Sequence, residues 1–187
     1  KSLTADDFAV TWGTRDVLFM VGDAVAKIGN SYYATLAEAV AAATAGQTIT
    51  LISDVADAGN VSLKAGVTLD GDGHKVTGNS AVYINKAGGT VQNVVFEDIH
   101  NAANNLSAVY ASGLEGTATI TGCTFDNCDW DAIQATPVAG AVLTITGNVF
   151  DTDNTDGVQQ QRYVHIQSAA NVDFTSTVAG NGMKGDT

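Results

Sequence analysis

The sequence predicts an all-β chain: a parallel β-solenoid (β-helix) of about five coils with an N-terminal capping α-helix and small N-terminal strands. Three observations carry this. Two series of short apolar segments recur out of phase, with steps of 21–31 residues. One Ala-rich amphipathic stretch near the N-terminus is the only substantial helical pattern. The composition suits stacked turns around a core, with 45% hydrophobic residues, 20 Gly and a single Pro in 187 residues.

Residues 1–46 read as the cap and residues 47–187 as the repeat, together one structural unit. Phe8 to Trp12, Val17 to Val21 and Ala24 to Ile28 are short apolar runs separated by Gly, Asn and Asp. They read as small strands. Thr35-Leu36-Ala37-Glu38 is a capping-box pattern, in which a Thr hydroxyl and a Glu side chain satisfy backbone N–H groups at a helix start. It opens a helix predicted over Leu36 to Ala45, ended by Gly46. Leu36, Ala39, Val40 and Ala43 fall on one face at helical spacing. A solenoid end is an open sheet edge that invites unwanted pairing, so this apolar face is the expected plug. Gln47 to Ser53 is the next strand, with Ile49 and Leu51 facing one way.

The repeat follows. Val91-Gln-Asn-Val-Val-Phe96, Ile120-Thr-Gly-Cys-Thr-Phe125 and Ile145-Thr-Gly-Asn-Val-Phe150 share an apolar residue, a Phe five positions on, and then Glu97, Asp126 or Asp151. A second series comprises Ala81-Val-Tyr-Ile84, Ala108-Val-Tyr-Ala111, Ala132-Ile-Gln-Ala135 and Tyr163-Val-His-Ile166, with Val61-Ser-Leu63 an earlier member. One coil cannot bury its own inward side chains, but stacked coils can. Val82/Ile84, Val109/Ala111, Ile133/Ala135 and Val164/Ile166 are therefore predicted to form one interior column. Phe96, Phe125 and Phe150 form another, an aromatic stack.

The charge excludes some partners. Eight Lys+Arg against 20 Asp+Glu give a net charge of −12. Nucleic acid is excluded, because phosphate neutralisation needs clustered cations, and docking on anionic lipid is disfavoured. No apolar run is long enough for membrane insertion. Seventeen acidic residues are Asp and three are Glu (Glu38, Glu97, Glu115). This small, polar composition points to an extracellular or virion surface. Asn171 to Thr187 shows no clear cap, so the expectation is further domains of a longer chain, or an end covered by a partner or a homo-oligomer. Cys123 and Cys128 have the wrong spacing for metal or CxxC chemistry. Two small buried thiols is the simpler reading, and a bridge requires converging Cβ vectors.

The stretch Leu143-Thr-Ile-Thr-Gly-Asn-Val-Phe150 followed by Asp151 resembles the coils of the pectin-lyase-like right-handed β-helix superfamily. The resemblance spans roughly residues 47–180. Val25-Ala-Lys-Ile-Gly-Asn-Ser-Tyr-Tyr-Ala-Thr-Leu-Ala-Glu-Ala-Val40, with Gly46-Gln-Thr-Ile-Thr-Leu51, resembles the opening of β-helix regions in large bacterial surface proteins and adhesins. It implies right-handed coils. It implies no single activity, since such folds serve lyases, hydrolases, adhesins, phage tailspikes and structural modules. Lyases of this fold use calcium and a basic residue. The two arginines here are Arg15, in the cap, and Arg162, with no carboxylate pair in obvious register on adjacent coils. Asn154-Thr-Asp-Gly157 resembles a polygalacturonase motif, but its partner motifs are missing.

Candidate sites lie elsewhere. Alternate residues of the second series point outward, which places Tyr83, Tyr110, Gln134 and His165 in a column, with Trp130 and Asp131 just upstream. Aromatic faces beside amide and carboxylate groups suit sugar rings. Asp151, Asp153 and Asp156 lie in an acidic loop with hard oxygen ligands, and calcium is the one cation this pattern leaves open. Asp70-Gly-Asp-Gly73 reads as a tight turn. His74, His100 and His165 are not spaced as metal ligands and read as isolated surface imidazoles. The expected function is a noncatalytic extracellular module of a bacterial cell-surface protein: a scaffold for adhesion with a face for a glycan or a host or cell-surface protein. A phage virion component (tail or capsid decoration) is one alternative. A polysaccharide lyase or glycoside hydrolase is the other.

Overall fold

The computed structural model describes residues 10–12, 15–17, 24–100, 107–128, 130–151, 162–169 and 173–184. Within them the chain is all-β apart from one helix, Leu36–Ala42. The strands build three largely parallel sheets of eight, six and five strands, visited in fixed rotation. One pass runs through Gly88–Gln92, Val95–Ile99 and Val109–Leu114; the next runs through Thr117–Thr121, Thr124–Asp126 and Asp131–Pro137. Each strand pairs in parallel with its counterpart in the following pass. This order is compatible with a β-helix-like solenoid.

The register matches the sequence alignment. Val91, Ile120 and Ile145 are successive partners in the eight-stranded sheet, and Phe96, Phe125 and Phe150 are partners in the six-stranded one. All six are buried. The three phenyl rings stack with 5.2 Å between neighbouring centroids, close to the ~4.8 Å between strands. Tyr163, tilted by 45°, packs on Phe150. Val61, Val82, Val109, Ile133 and Val164 form the predicted second column.

Two corners recur in left-handed backbone geometry, where Gly, Asn and Asp are tolerated and bulkier residues are strained. The first holds Asn93, Gly122, Gly147 and Gly180, with φ of 53°, 64°, 65° and 65°. The second holds Asp57, Gly78, Asp98 and Asn127, with φ of 50°, 68°, 50° and 50°. Their side chains join neighbouring passes: Asp57 Oδ1 accepts from the Asn79 N–H, and Asn127 Nδ2 donates to Asp98 Oδ1. Part of the preference for Asp over Glu follows from this, because a short carboxylate can hold such a corner. Asp70 does similar work. Partial burial pushes its pKa up, but hydrogen bonds from the Asp72 N–H, Gln92 and Asn93 outweigh this and hold it below the usual value.

Beside the first corner an amide ladder runs along the stack. Asn148 Oδ1 accepts from the Cys123 N–H, and its Nδ2 donates to the Ile120 carbonyl. Asn181 repeats both contacts one pass later, to the Asn148 N–H and the Ile145 carbonyl. Val178-Ala-Gly-Asn-Gly-Met183 is thus a further member of the Phe series, with Met183 opposite Phe150. Sequence comparison missed it because the aromatic is replaced and the step from Phe150 is 33 residues.

Cys123 fills the ladder position one pass earlier. Both cysteines are buried thiols with no disulfide between them, in line with the simpler reading. Burial pushes the Cys123 thiol up to about 12, from an ordinary 9.0. Its stabilising contribution is complete below the ordinary value and is lost as pH rises toward about 12. Between these limits the native protein should lose up to about 1.4 kcal/mol per pH unit relative to Cys123→Val. Urea midpoints of both proteins at pH 8 and 10.5 test this, and parallel shifts would refute it.

The cap differs in detail from expectation. The helix starts where predicted, with Thr35 Oγ1 accepting from the Glu38 N–H at 3.1 Å. It stops at Ala42 instead of Ala45, and Ala43 is extended. A local bond and a tertiary one claim the last turn: Gln47 Oε1 takes the Thr44 N–H, and the Gly46 N–H reaches the Gly66 carbonyl. Leu36, Ala39, Val40 and Ala43 are all buried. The helix packs against Ala26–Ile28, Ser31–Tyr33 and Gly59–Ser62. Ala26–Ile28 also pairs antiparallel with Thr48–Leu51 and with Ser31–Tyr33, so a hairpin closes the first edge of the eight-stranded sheet. Val10–Trp12 and Arg15–Val17 pair antiparallel. The remainder of the runs predicted from Phe8 and to Val21 lies outside the described residues.

Asp70-Gly-Asp-Gly73 is a turn, as expected, but its glycines have different duties. Gly73 takes a positive φ of 83°. Gly71 does not; a Cβ there would meet the Asn93 carbonyl and lie 2.5 Å from Val94 Cα. Gly71→Ala is therefore expected to cost about 1–3 kcal/mol, measured as a lowered urea midpoint. An unchanged midpoint would mean that the two passes can separate freely.

Candidate functional site

The outer side of the five-stranded sheet carries the candidate face. Tyr83, Tyr110, Gln134 and His165 are successive register partners, and all four are half-buried. Tyr83 and Tyr110 lie 4.6 Å apart between ring centroids, with 4° between planes. The rings stack along the direction in which the strands stack, so each covers one face of the other. Tyr110 Oη accepts from the Ser107 N–H at 2.9 Å. Partial burial and the adjacent Tyr110 phenol push the Tyr83 hydroxyl pKa up. The open platform of aromatic faces expected from the sequence is therefore a ladder whose shared faces are already used.

Asp131 does not sit on that face. It begins the strand Asp131–Pro137, and its exposure is 0%. Arg162, its register partner on the next strand, donates from Nε to Oδ1 at 2.8 Å and from Nη2 to Oδ2 at 3.3 Å. His165 Nδ1 contacts Oδ2 at 2.9 Å. Burial of a carboxylate is tolerable only with such compensation. Arg162 thus has a single carboxylate, Asp131, in register. The 31-residue step from Asp131 to Arg162, lengthened by the acidic segment after Phe150, hides it in the sequence. Nor is His165 an isolated surface imidazole. Donation from Nδ1 to Asp131 fixes the ring. Trp130 is half-buried; Asp129 lies outside the described residues.

The other histidines stand apart. His74 Nδ1 is 3.4 Å from Asp54 Oδ1, and His100 Nδ1 is 2.7 Å from the Asp98 carbonyl. The backbone N–H of Lys75 is the main cause holding the Asp54 carboxyl below its usual pKa. Lys75 and Glu97 form an ion pair at 2.6 Å on adjacent strands, and the bond to Glu97 raises the Lys75 pKa.

Of the proposed calcium ligands, Asp151 is buried at the end of Val149–Asp151, while Asp153 and Asp156 lie outside the described residues, as does Asn154 to Gly157. Among the described residues no three His, Cys, Asp or Glu side chains are grouped to hold a metal ion. No described helix is long and apolar enough to cross a membrane. The chain matches no protein-family model, no curated protein and no solved structure.

Proposed function

We propose that the chain is a noncatalytic extracellular module of a bacterial cell-surface protein, built as a right-handed parallel β-helix of about five coils and serving as a stiff scaffold for adhesion. One observation carries this reading. Two polar groups at and beside the candidate face are committed to the fold: Asp131 is held by Arg162 and His165, and Tyr110 is tied to the Ser107 backbone. A catalytic carboxylate would need reach to a substrate proton or bond, and a fully buried one has none.

The ladder Tyr83, Tyr110, Gln134 and His165 is the proposed contact strip for a glycan or a host or cell-surface protein. It offers ring edges, an amide and an imidazole nitrogen along one straight line, which suits an extended chain of hydroxyl groups. The test pairs a glycan array with a turnover panel on pectins and host glycans, with and without calcium. Binding that the Tyr83→Ala/Tyr110→Ala double variant loses, without turnover, is the expected result. Release of reducing ends or unsaturated uronates would overturn the noncatalytic reading. Glycan binding unchanged in the double variant would remove the strip.

A further inference from the structure

The polar groups of the contact strip are of two kinds. Some are committed to the fold: Tyr110 Oη accepts from the Ser107 N–H, and His165 Nδ1 is held by Asp131. Two are not. The Tyr83 hydroxyl and the Gln134 amide have no hydrogen-bond partner among the described residues. Both reach solvent, since the Ser107 hydroxyl is the one side-chain polar atom buried without a partner among those residues. Neither group carries a charge. The cations nearby are already paired: Arg162 with Asp131, and Lys86, shortly after Tyr83 in the chain, with Glu115 at 3.0 Å. In a chain of net charge −12, an anionic ligand meets long-range repulsion here and no compensating ion pair. A ligand that offers neutral hydroxyl groups meets neither obstacle.

Spacing adds a second constraint. Tyr83 and Gln134 are both register partners of Tyr110, one on each side. They therefore stand two strand steps apart, roughly 9–10 Å along the stack. In a flat β-1,4-linked sugar chain successive rings are turned over. The same edge therefore recurs at every second sugar, at a closely similar distance. The Tyr83 and Tyr110 rings spend their shared faces on each other, so the strip meets a ligand through hydroxyl and amide groups instead of a stacking platform. We infer, resting on the glycan reading of this strip, that it takes a neutral, extended β-1,4-linked glycan. The chain lies along the stack, and the Tyr83 hydroxyl and the Gln134 amide bond the same edge of alternate sugars.

The probes are cellohexaose, mannohexaose and chitohexaose, titrated into the whole protein by calorimetry. Maltohexaose is the neutral α-1,4-linked control, and the C6-oxidised acidic form of cellohexaose is the charged one. At least one neutral β-1,4-linked hexamer should bind about tenfold or more tighter than either control. Its affinity should change less than about twofold between low and high salt, because no ion pair is formed. Tyr83→Phe and Gln134→Leu should each weaken it about three- to tenfold, the loss of one neutral hydrogen bond. Tyr83→Phe keeps the ring stack, and circular dichroism verifies the fold of both variants. Equal or tighter binding of maltohexaose or of the acidic hexamer would overturn the inference, as would neutral binding unchanged in both variants. Absence of binding by all three neutral β-1,4-linked hexamers would overturn it too. The strip itself is judged separately, by whether Tyr83→Ala/Tyr110→Ala abolishes the binding of whichever glycan the protein takes.

Discussion

Phe125→Ala is expected to lower the free energy of unfolding by about 3–5 kcal/mol. Phe125 is the middle ring of three, fully buried, with Phe96 and Phe150 each 5.2 Å away. Truncation removes the apolar area of one ring and leaves a cavity that the strands on either side cannot close. Their spacing is held by hydrogen bonds through Val95–Glu97 and Thr124–Phe125. It also removes both stacking contacts, each worth about 0.5–1.5 kcal/mol beyond area burial. Domains are stable by only about 5–15 kcal/mol, so this variant should be near its folding limit. Met183→Ala alters the same column where it is 57% exposed, and should cost less than about 1 kcal/mol. Urea titrations of both variants check the contrast. A Phe125→Ala cost equal to that of Met183→Ala would mean that the stack does not organise the core.

The second large effect concerns Asp131 and Arg162. Arg162→Met should cost roughly 2–4 kcal/mol, because it strips a buried carboxylate of both hydrogen bonds from the guanidinium and leaves the contact with His165. The loss falls short of a fully buried pair because His165 remains and Arg162 is itself 45% exposed. Asp131→Leu on the Arg162→Met background should recover most of the stability, since a shape-matched apolar pair replaces an ionic one at little net cost. A double-mutant cycle measures this. Additive single and double effects would show that the two side chains do not depend on each other. Asp131→Leu releases His165, so any glycan binding by the strip should weaken in that variant more than in Arg162→Met, which keeps the His165 contact.

The period of the apolar segments was enough to place Val91, Ile120 and Ile145 in one column and the three phenylalanines in another. Side-chain alternation was enough to put Tyr83, Tyr110, Gln134 and His165 on the opposite side of the sheet from Val82, Val109, Ile133 and Val164. These are local regularities, and parallel stacking copies them from pass to pass. The position of Asp131 was not legible. An acidic residue is read as solvated until its counter-ion is known. That counter-ion, Arg162, lies 31 residues on, a longer step than the two before it in the series. The fourth member of the Phe series escaped for the same reason, since Met183 preserves the packing role without the aromatic signature.

The sequence by itself determined the β architecture, the interior columns, the helix start at Thr35 and the concentration of Asp, Asn and Gly at corners. Each of these depends on residues close together in the chain or repeated at a regular step. Only the tertiary structure decided where the helix stops, which face the tyrosines present, what compensates Asp131 and why Gly71 must lack a side chain. Those outcomes depend on groups some 20–30 residues away meeting across the stack at ångström precision. Hydrophobic period does not encode that contact.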